Sequence, residues 1–600
     1  MNQTKLKQIF LSLCASIVLG TSLSAIPVFC CQKVDTAKSE IFFTISEFPH
    51  PYFPLTPRGL PDTFNILVDG QRIAPLFQKK YIVKLEDGRS QEAIDMLVSY
   101  ERVKSMTAKV NRTTCYFKDV FGNETLRDVF DIPDVVTRYE RLKREKYPEQ
   151  NANVWLLLDR STEGDDNAEH FYRFLRTQHS RDVTPYFTIN KMGGDGKDNS
   201  YWNKLSKEGF QLLALKQEIK QDQKPALVAD DCRAILDKAS KIISSQSAEA
   251  LKIRYGPDFL RFKHFIFLQH GVIKDDMSEW INGKEMDLFV TTTFTEFNSI
   301  VGKGTPYKTL PAHGKMLGLP RHDTLLHRYL NPGCSDNQRY AKDFARRVGE
   351  FSKKNKGKKL PEKAILIMPT WRKHVKDVTD GIKNADQMFK TFQGTNYFEK
   401  WNGFLTDKSL TALAQKYSYR IIFFPHSLMR KFLSKWTLPG IEKVTCFNRS
   451  IQDVFLESAV MITDYSSTAF EMALLRRPVI YYQFDNVTTQ GAHTYQSGYF
   501  DYLRDGFGPV VGTRDKLFQA LETLLQNECQ PEQKYLECMQ QTFVFRDEGN
   551  CERVYRAIRE LDVPRAPWDF DREVLSDYAQ AAEREGDREF AQKCQEKLTR

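Results

Sequence analysis

The chain has 600 residues, 41% of them hydrophobic and 12% aromatic, enough apolar material for two or three globular domains. Its net charge of +10, from 87 basic and 77 acidic residues, is spread along the sequence. Such an excess is too slight for a dedicated nucleic-acid binder but suits anionic substrates or an anionic membrane surface. Eleven cysteines, an odd number with no CxxC pair, argue against a disulfide framework or a zinc ribbon and fit reduced thiols in a cytosolic setting.

Lys5 and Lys7 precede an uncharged stretch from Ile9 to Cys31. That stretch reads equally as a signal peptide, a weak membrane anchor or a buried segment, because its Ser, Thr, Gly and Pro27 dilute any spanning signal and the flanking charge is even. From Ser39 to Asp134, short β-type runs (IFFTI, FNILVDG, KKYIVKL, CYFKDVFG) broken by Pro and Gly predict a small β-rich domain. The pattern changes at VWLLL, Val154 to Leu158. From there, apolar runs alternate with amphipathic helical stretches: VWLLL, a helix around Ala168 to Thr177, PYFTI, KIIS, HFIFL and DLFVTT.

A basic stretch, SKKNKGKK from Ser352 to Lys359, reads as a solvated linker or, alternatively, a polyanion patch. The alternation resumes with AILIM, YRIIFF, AVMIT and PVIYY, and the chain ends in charged helical sequence. The resulting expectation is an α/β protein with two Rossmann-like, doubly wound halves and a ligand cleft between them at the carboxyl ends of the strands. The expected divisions are a hydrophobic segment at 1–31, a β-rich domain at 32–148, halves at 149–345 and 346–525, and a helical tail at 526–600.

The chemistry is concentrated at four strand ends. HFIFLQ runs into His270-Gly271, AILIM into Pro369-Thr370-Trp371-Arg372, YRIIFF into Pro425-His426, and AVMIT into Asp464-Tyr465-Ser466-Ser467-Thr468. Imidazole titrates near neutral pH, so His270 and His426 are candidates for proton transfer; the alternative for each is a structural strand-end histidine. Arg321, His322 and Arg372 offer cations for a phosphate or sit in surface ion pairs, and Lys274 fits either role. Ser466, Ser467 and Thr468 open a helix, where phosphate binds well, yet Thr468 with Glu471 also matches a T-x-x-E capping box. The acidic pairs Asp165-Asp166, Asp230-Asp231 and Asp275-Asp276 have no flanking ligand set, so turns and caps are expected there and no metal.

Several segments together resemble the CDP-glycerol glycerophosphotransferases, the poly(glycerol phosphate) teichoic-acid polymerases and their capsule-type relatives. They are VWLLLDRSTEGDDNAEHFYRFL (154–175), FLQHGVIKDDMSEWIN (267–282), GLPRHD (318–323), MPTWR (368–372), FFPH (423–426), ITDYSSTAFEMALLRRPVIYYQFD (462–485) and SGYFDY (497–502) with Gly508-Pro509. The resemblance covers about 150–515 and implies a glycosyltransferase-B-like fold. It further implies attack of an acceptor hydroxyl on the β-phosphorus of CDP-glycerol with release of CMP. His270 then resembles the family's general base and His426 its second catalytic histidine. Gly271, Lys274, Arg321, Thr370, Trp371, Arg372, Ser466, Ser467 and Glu471 are expected around the donor, with Glu471 standing where many members carry Asp.

By the same resemblance, no cofactor is expected. The partners would be CDP-glycerol, a polyanionic or lipid-linked glycan acceptor and a membrane surface, with no nucleic acid. The place of work would be the cytoplasmic face of the cell membrane. The alternatives are a nucleotide-sugar glycosyltransferase or CDP-ribitol transferase on the same fold, or a non-enzymatic exported surface protein.

Overall fold

The computed structural model describes residues 151–562 apart from 161–162, 192–198, 215–229, 247–250, 252–259, 261–262, 283, 285, 303, 310–312, 355–359, 448 and 486–496. It also describes residues 145 and 147–150, the strands between 28 and 130, and residues 579, 583 and 588–598. The chain divides into two compact units, one of residues 1–137 with 565–600 and one of residues 138–564. Of the uncharged stretch near the start, only Val28 to Cys31 fall within the described residues, in strand β1. The part of the basic stretch from Asn355 to Lys359 lies outside them.

The smaller unit holds two antiparallel sheets. One has the order β1 (Val28–Asp35), β2 (Glu40–Pro49), β6 (Ser90–Ser99), β5 (Phe77–Lys84). The other runs β4 (Gln71–Ile73), β3 (Asn65–Val68), β7 (Thr113–Lys118), β8 (Glu124–Phe130). The IFFTI, FNILVDG, KKYIVKL and CYFKDVFG runs supply β2, β3, β5 and β7.

The larger unit is built on two parallel sheets. The first comprises β9 (Asn151–Leu158), β10 (Thr184–Ile189), β11 (Leu212–Ala214), β12 (Ala239–Ser244), β13 (His264–Phe267), β14 (Leu288–Thr291) and β15 (Gly314–Met316). Their spatial order is β11-β10-β9-β12-β13-β14-β15. The second comprises β16 (Ala364–Ile367), β17 (Arg420–Phe423), β18 (Glu442–Lys443), β19 (Ser458–Thr463), β20 (Val479–Tyr482) and β21 (Val510–Val511), ordered β18-β17-β16-β19-β20-β21.

Both faces of each sheet are covered, which is why the strands read as continuous apolar runs. In β9, Trp155 and Leu157 enter one core while Leu156 and Leu158 enter the other. In β16, Ile365 and Ile367 pack on one face and Ala364 and Leu366 on the opposite one. In each sheet the strand order reverses beside the first strand, between β9 and β12 and between β16 and β19. A crevice opens outside the carboxyl ends of the strands at such a reversal. This is the glycosyltransferase-B-like arrangement of two Rossmann-like halves.

Of the helices, α1 (Asn167–Gln178), α2 (Phe294–Val301), α3 (Pro320–Leu330) and α4 (Ser335–Lys354) belong to the first half and its exit. The second half contributes α5 (Ile451–Glu457), α6 (Ala469–Leu474) and α7 (Arg514–Gln526). Helix α8 (Asn550–Arg559), from the segment set apart by sequence as a tail, returns to the first half. Its Cys551, Val554, Ala557 and Ile558 are buried in the same core as Trp155, Phe171 and Leu288. Asp323 of α3 caps it, accepting from the backbone N–H of Asn550 at 3.0 Å and of Cys551 at 2.7 Å.

Candidate active site

A cleft of about 440 Å³ lies where the two sheets face each other. Its walls come from the ends of β9, β12 and β13 in the first half and of β16, β17 and β19 in the second, and include His270, Gly271, Lys274, Arg321, Thr370, Trp371, His426, Ser466 and Ser467.

The first wall is organised by two aspartates that follow β9. Asp159, buried at the strand end, accepts from the backbone of Ala168 at 3.0 Å and Glu169 at 3.1 Å and from Ser245 Oγ at 2.5 Å, fixing the start of α1 against the sheet. Asp166 is the N-cap of α1. Its side chain is 7% exposed and takes a hydrogen bond of 2.6 Å from Arg321 Nη1 while the other oxygen meets His270 Nδ1. Burial alone would raise the Asp166 carboxyl; the adjacent His270 and Arg321 outweigh it and hold the group below the usual carboxylate range.

His270 reaches this position because Gln269 before it adopts a left-handed backbone conformation, φ 65°, turning the chain sharply at the strand end. The turn is held by Asn167 Nδ2 donating to the Gln269 carbonyl at 2.9 Å and by the Gln269 side-chain amide donating to Val290 O. Arg160 Nη2 lies 2.8 Å from His270 Nε2. A guanidinium only donates, so Nε2 is the accepting nitrogen and the ring proton resides on Nδ1, facing Asp166. With its side chain 52% exposed, His270 lines the cleft with its Nε2 lone pair covered by Arg160.

On the second wall His426 precedes a short 3₁₀ helix, Ser427–Phe432, and its Nδ1 accepts from the backbone of Leu428 at 3.3 Å. Its proton is then on Nε2. Burial, followed by the nearby charges of Arg160, His270 and Arg430, pushes His426 down to about 3, so it is a neutral N–H donor throughout the physiological range. The Trp371 ring packs against it with centroids 6.0 Å apart.

In the DYSST segment the capping box allowed by the sequence is absent. Thr468 stands at the N-cap of α6 but makes no side-chain cap bond, and Glu471 turns away from it, so the T-x-x-E box does not form. Glu471 is instead buried and accepts from Arg321 Nε at 2.9 Å and from Arg321 Nη2, with His322 Nε2 at 3.4 Å. Ser466 Oγ pairs with Thr468 Oγ1 at 2.7 Å. Ser467 comes so close to Gly271 that a Cβ at 271 would meet its Oγ at 2.9 Å. The glycine in HG thus admits the opposite half of the protein.

The cations proposed from sequence are placed unequally. Arg321, 7% exposed, lines the cleft floor with its fork committed to Asp166, Glu471 and the His270 carbonyl. Burial disfavours its charge, but Glu471 and Asp166 raise it above its ordinary value. Arg372 is fully buried outside the cleft lining, bound to Asp464 at 2.8 Å and Asp485 at 2.8 and 3.0 Å. It sits over Tyr465, 5.1 Å from the ring centroid. The Asp464 carboxylate also accepts from the backbone of Thr370 at 2.8 Å, so this ion pair ties the PTWR turn to the DYSST turn. Lys274 is buried against Asp275 at 2.5 Å and over Tyr502 at 5.3 Å. Glu471 and Arg372 thus support the walls from behind.

Of the acidic pairs, Asp165 Oδ2 accepts from Ser450 Oγ at 2.9 Å and from the backbone of Ile451 at 2.8 Å, capping α5 of the other half. Asp276 accepts from the backbone of Ser278 at 2.9 Å, and the Asp230 and Asp231 side chains lie outside the described residues. Among the described residues no group of three or more His, Cys, Asp or Glu side chains is placed to hold a metal ion.

Four residues were not singled out by sequence reasoning: Arg160, Glu163, Asp166 as a partner of histidine, and Arg430. Glu163 accepts from Arg160 at 2.9 Å and pairs with Arg430 at 2.7 Å, and Cys446 Sγ donates to it at 2.7 Å. Arg160 also donates to Ser427 Oγ at 3.2 Å. Only the position of Asp159-Arg160 directly after the first strand, at what proves to be the sheet's reversal point, could have signalled them.

Two parallel α/β halves facing across a cleft, with a carboxylate-held imidazole on one wall and a neutral imidazole N–H on the other, make this a glycosyltransferase-B-like protein. The family described as CDP-Glycerol:Poly(glycerophosphate) glycerophosphotransferase matches residues 140–560, and the chain belongs to it. The minor teichoic acid biosynthesis protein GgaB of Bacillus subtilis (strain 168) is 31% identical over 421 residues, covering 68% of this chain and 40% of that protein. The teichoic acid glycerol-phosphate transferase of Staphylococcus aureus is 26% identical over 166 residues, 28% of this chain and 37% of that one. The chain thus spans about 40% of GgaB's length and matches under two thirds of either relative. The solved structure of the wall teichoic acid polymerase TagF superposes with a TM-score of 0.46 at 14% identity, covering 72% of this chain and 96% of that chain.

Proposed function

We propose that the protein transfers glycerol phosphate from CDP-glycerol to a hydroxyl of a cell-surface polymer or its lipid-linked precursor, releasing CMP. The observation that carries this reading is the pair of histidines with opposite proton arrangements: His270 with Nε2 as its acceptor nitrogen, held by Arg160, and His426 with Nε2–H as a donor. The acceptor hydroxyl attacks the phosphorus that bears glycerol and gives its proton to His270 Nε2. A new P–O bond forms, and the bond from that phosphorus to the bridging oxygen of CMP breaks. The bridging oxygen gathers the departing charge, against which His426 Nε2–H and the cleft cations stand. Such a reaction depends on positioning and charge stabilisation and requires no covalent intermediate.

In this reading the first half carries the base and the acceptor side, and the second half holds the donor near Thr370, Trp371, Ser466 and Ser467. The family match supports the donor class, and the teichoic acid names of the relatives support the acceptor class. No helix among the described residues is long and apolar enough to cross a membrane. A peripheral or N-terminally anchored position at the cytoplasmic face accords with a cytosolic donor and a net basic chain.

The test is CMP release from CDP-glycerol, CDP-ribitol and a panel of nucleotide sugars, comparing the parent with His270→Ala and His426→Ala. Release from CDP-glycerol that falls at least about 100-fold in each variant is expected. Turnover of another donor in its place, or full activity in both variants, would reject the proposal.

A further inference from the structure

The two arginines that the sequence offers as phosphate cations or ion-pair partners are both committed to carboxylates, Arg321 to Asp166 and Glu471 and Arg372 to Asp464 and Asp485. Lys274 is buried on Asp275. A diphosphate entering this cleft would therefore find little cationic charge on them that is not already neutralised by a neighbour. Arg160 and Arg430 are differently placed. Their side chains are 29% and 21% exposed, both line the cleft, and they belong to opposite halves.

Between them lies a single carboxylate, Glu163, whose Oε1 takes Arg160 at 2.9 Å and whose Oε2 takes Arg430 at 2.7 Å. Two guanidiniums on one carboxylate leave a surplus positive charge. Arg430 Nε is moreover buried with no hydrogen-bond partner among the described residues. Glu163 thus occupies the place of an oxyanion held between two guanidiniums, one nitrogen of Arg160 on one oxygen and one of Arg430 on the other, and charge-assisted bonds of this kind also bind phosphoryl oxygens. The pair also brackets the two histidines: Arg160 donates to His270 Nε2 at 2.8 Å and to Ser427, the neighbour of His426, at 3.2 Å.

We propose that Arg160 and Arg430 form a two-sided clamp for the donor diphosphate, and that Arg160, on turning to a phosphoryl oxygen, releases the Nε2 lone pair of His270. The clamp rests on the donor class proposed above. Arg160 has a finite number of N–H donors, one of which caps the base; a dianionic neighbour is a stronger acceptor than a neutral imidazole. The base is then uncovered only when the group it must act beside has arrived. Arg160 and Arg430 are binding residues in this scheme, and Glu163 positions them.

The experiment measures binding by calorimetry for CDP-glycerol, CDP and CMP, alongside turnover, for the parent, Arg160→Met, Arg430→Met and Arg160→Lys. Expected are roughly tenfold or greater losses of CDP-glycerol and CDP affinity in both methionine variants, with CMP affinity changed less than about threefold and partial recovery in Arg160→Lys. Unchanged circular dichroism and melting separate this loss from misfolding. A parent that turns over CDP-glycerol while both methionine variants bind CDP as tightly would overturn the clamp and leave the donor assignment standing. A parent that binds CDP through these arginines but turns over a different CDP-linked donor would uphold the clamp and sink the glycerol assignment. A parent that binds no diphosphate would overturn the clamp.

Discussion

Replacing Asp166 by Asn tests how the first wall works. The amide is nearly isosteric and keeps one oxygen, so Arg321 Nη1, now 2.6 Å from Oδ1, retains an acceptor, and Arg321 retains Glu471 as well. The other atom becomes an NH₂ facing His270 Nδ1, two donors in contact, and the imidazole must move its proton to Nε2 to relieve it. Nε2–H would then point at the Arg160 guanidinium and offer no lone pair to the cleft. The whole contribution of a positioned base, typically 10²- to 10⁴-fold, is therefore at stake, or about 3 kcal/mol and more in barrier height. The stability cost of one weakened buried contact is smaller, about 1–3 kcal/mol. CMP release at saturating acceptor should show kcat at least about 100-fold down, with KM for the donor little changed because Asp166 is not expected to touch it. A variant whose kcat stays within about threefold of the parent would refute the role of this carboxylate.

Gly271→Ala places a methyl 2.9 Å from Ser467 Oγ, so the donor KM should rise severalfold; in a Ser467→Ala background the penalty should shrink, and equal penalties in both backgrounds would show that the approach does not matter. Arg372→Met leaves Asp464 and Asp485 without their cation and should lower stability by about 3–5 kcal/mol, with Arg372→Lys restoring little because the planar fork bridges both carboxylates; an unchanged urea midpoint would contradict this. Burial raises the Glu296 carboxyl from 4.5 to about 7, against the backbone hydrogen bonds from Thr292 and Ile273. The folded state then binds the extra proton between those values, so this group's stabilisation is complete below 4.5 and is lost as pH rises through about 7, by about 3 kcal/mol at ~1.4 kcal/mol per pH unit. The stability advantage of the parent over Glu296→Gln should narrow correspondingly across that window in urea titrations, and parallel curves would exclude the linkage.

The sheets of the large unit were legible because parallel strands buried on both faces cannot hide: VWLLL, HFIFL, AILIM, AVMIT and PVIYY all form strands or lead into their ends. The short edge strands β11, β15, β18 and β21 had no such signal, having two or three residues each. Convergence of four strand ends on one cleft followed from their common parallel direction. What local pattern could not supply was the pairing of charges. Arg321 meets a carboxylate 150 residues away and Arg160 a hydroxyl 267 residues away, and no period or spacing encodes either. The T-x-x-E pattern at Thr468 shows the converse: a sound local rule was set aside because the buried Arg321 guanidinium, with its full charge, outbids a backbone N–H for Glu471.

Helix α8 carries a consequence for how the molecule is made. The sheet nearest the start of the large unit, from β9 onward, has one face closed by Cys551, Val554, Ala557 and Ile558, so a ribosome that has finished β15 still leaves Trp155 and Leu288 without their last neighbours. Everything from β16 to α7 must be synthesised before that face is sealed. The half that leaves the ribosome first is the one completed last, and a nascent chain halted anywhere before residue 551 exposes an apolar surface to chaperones and proteases.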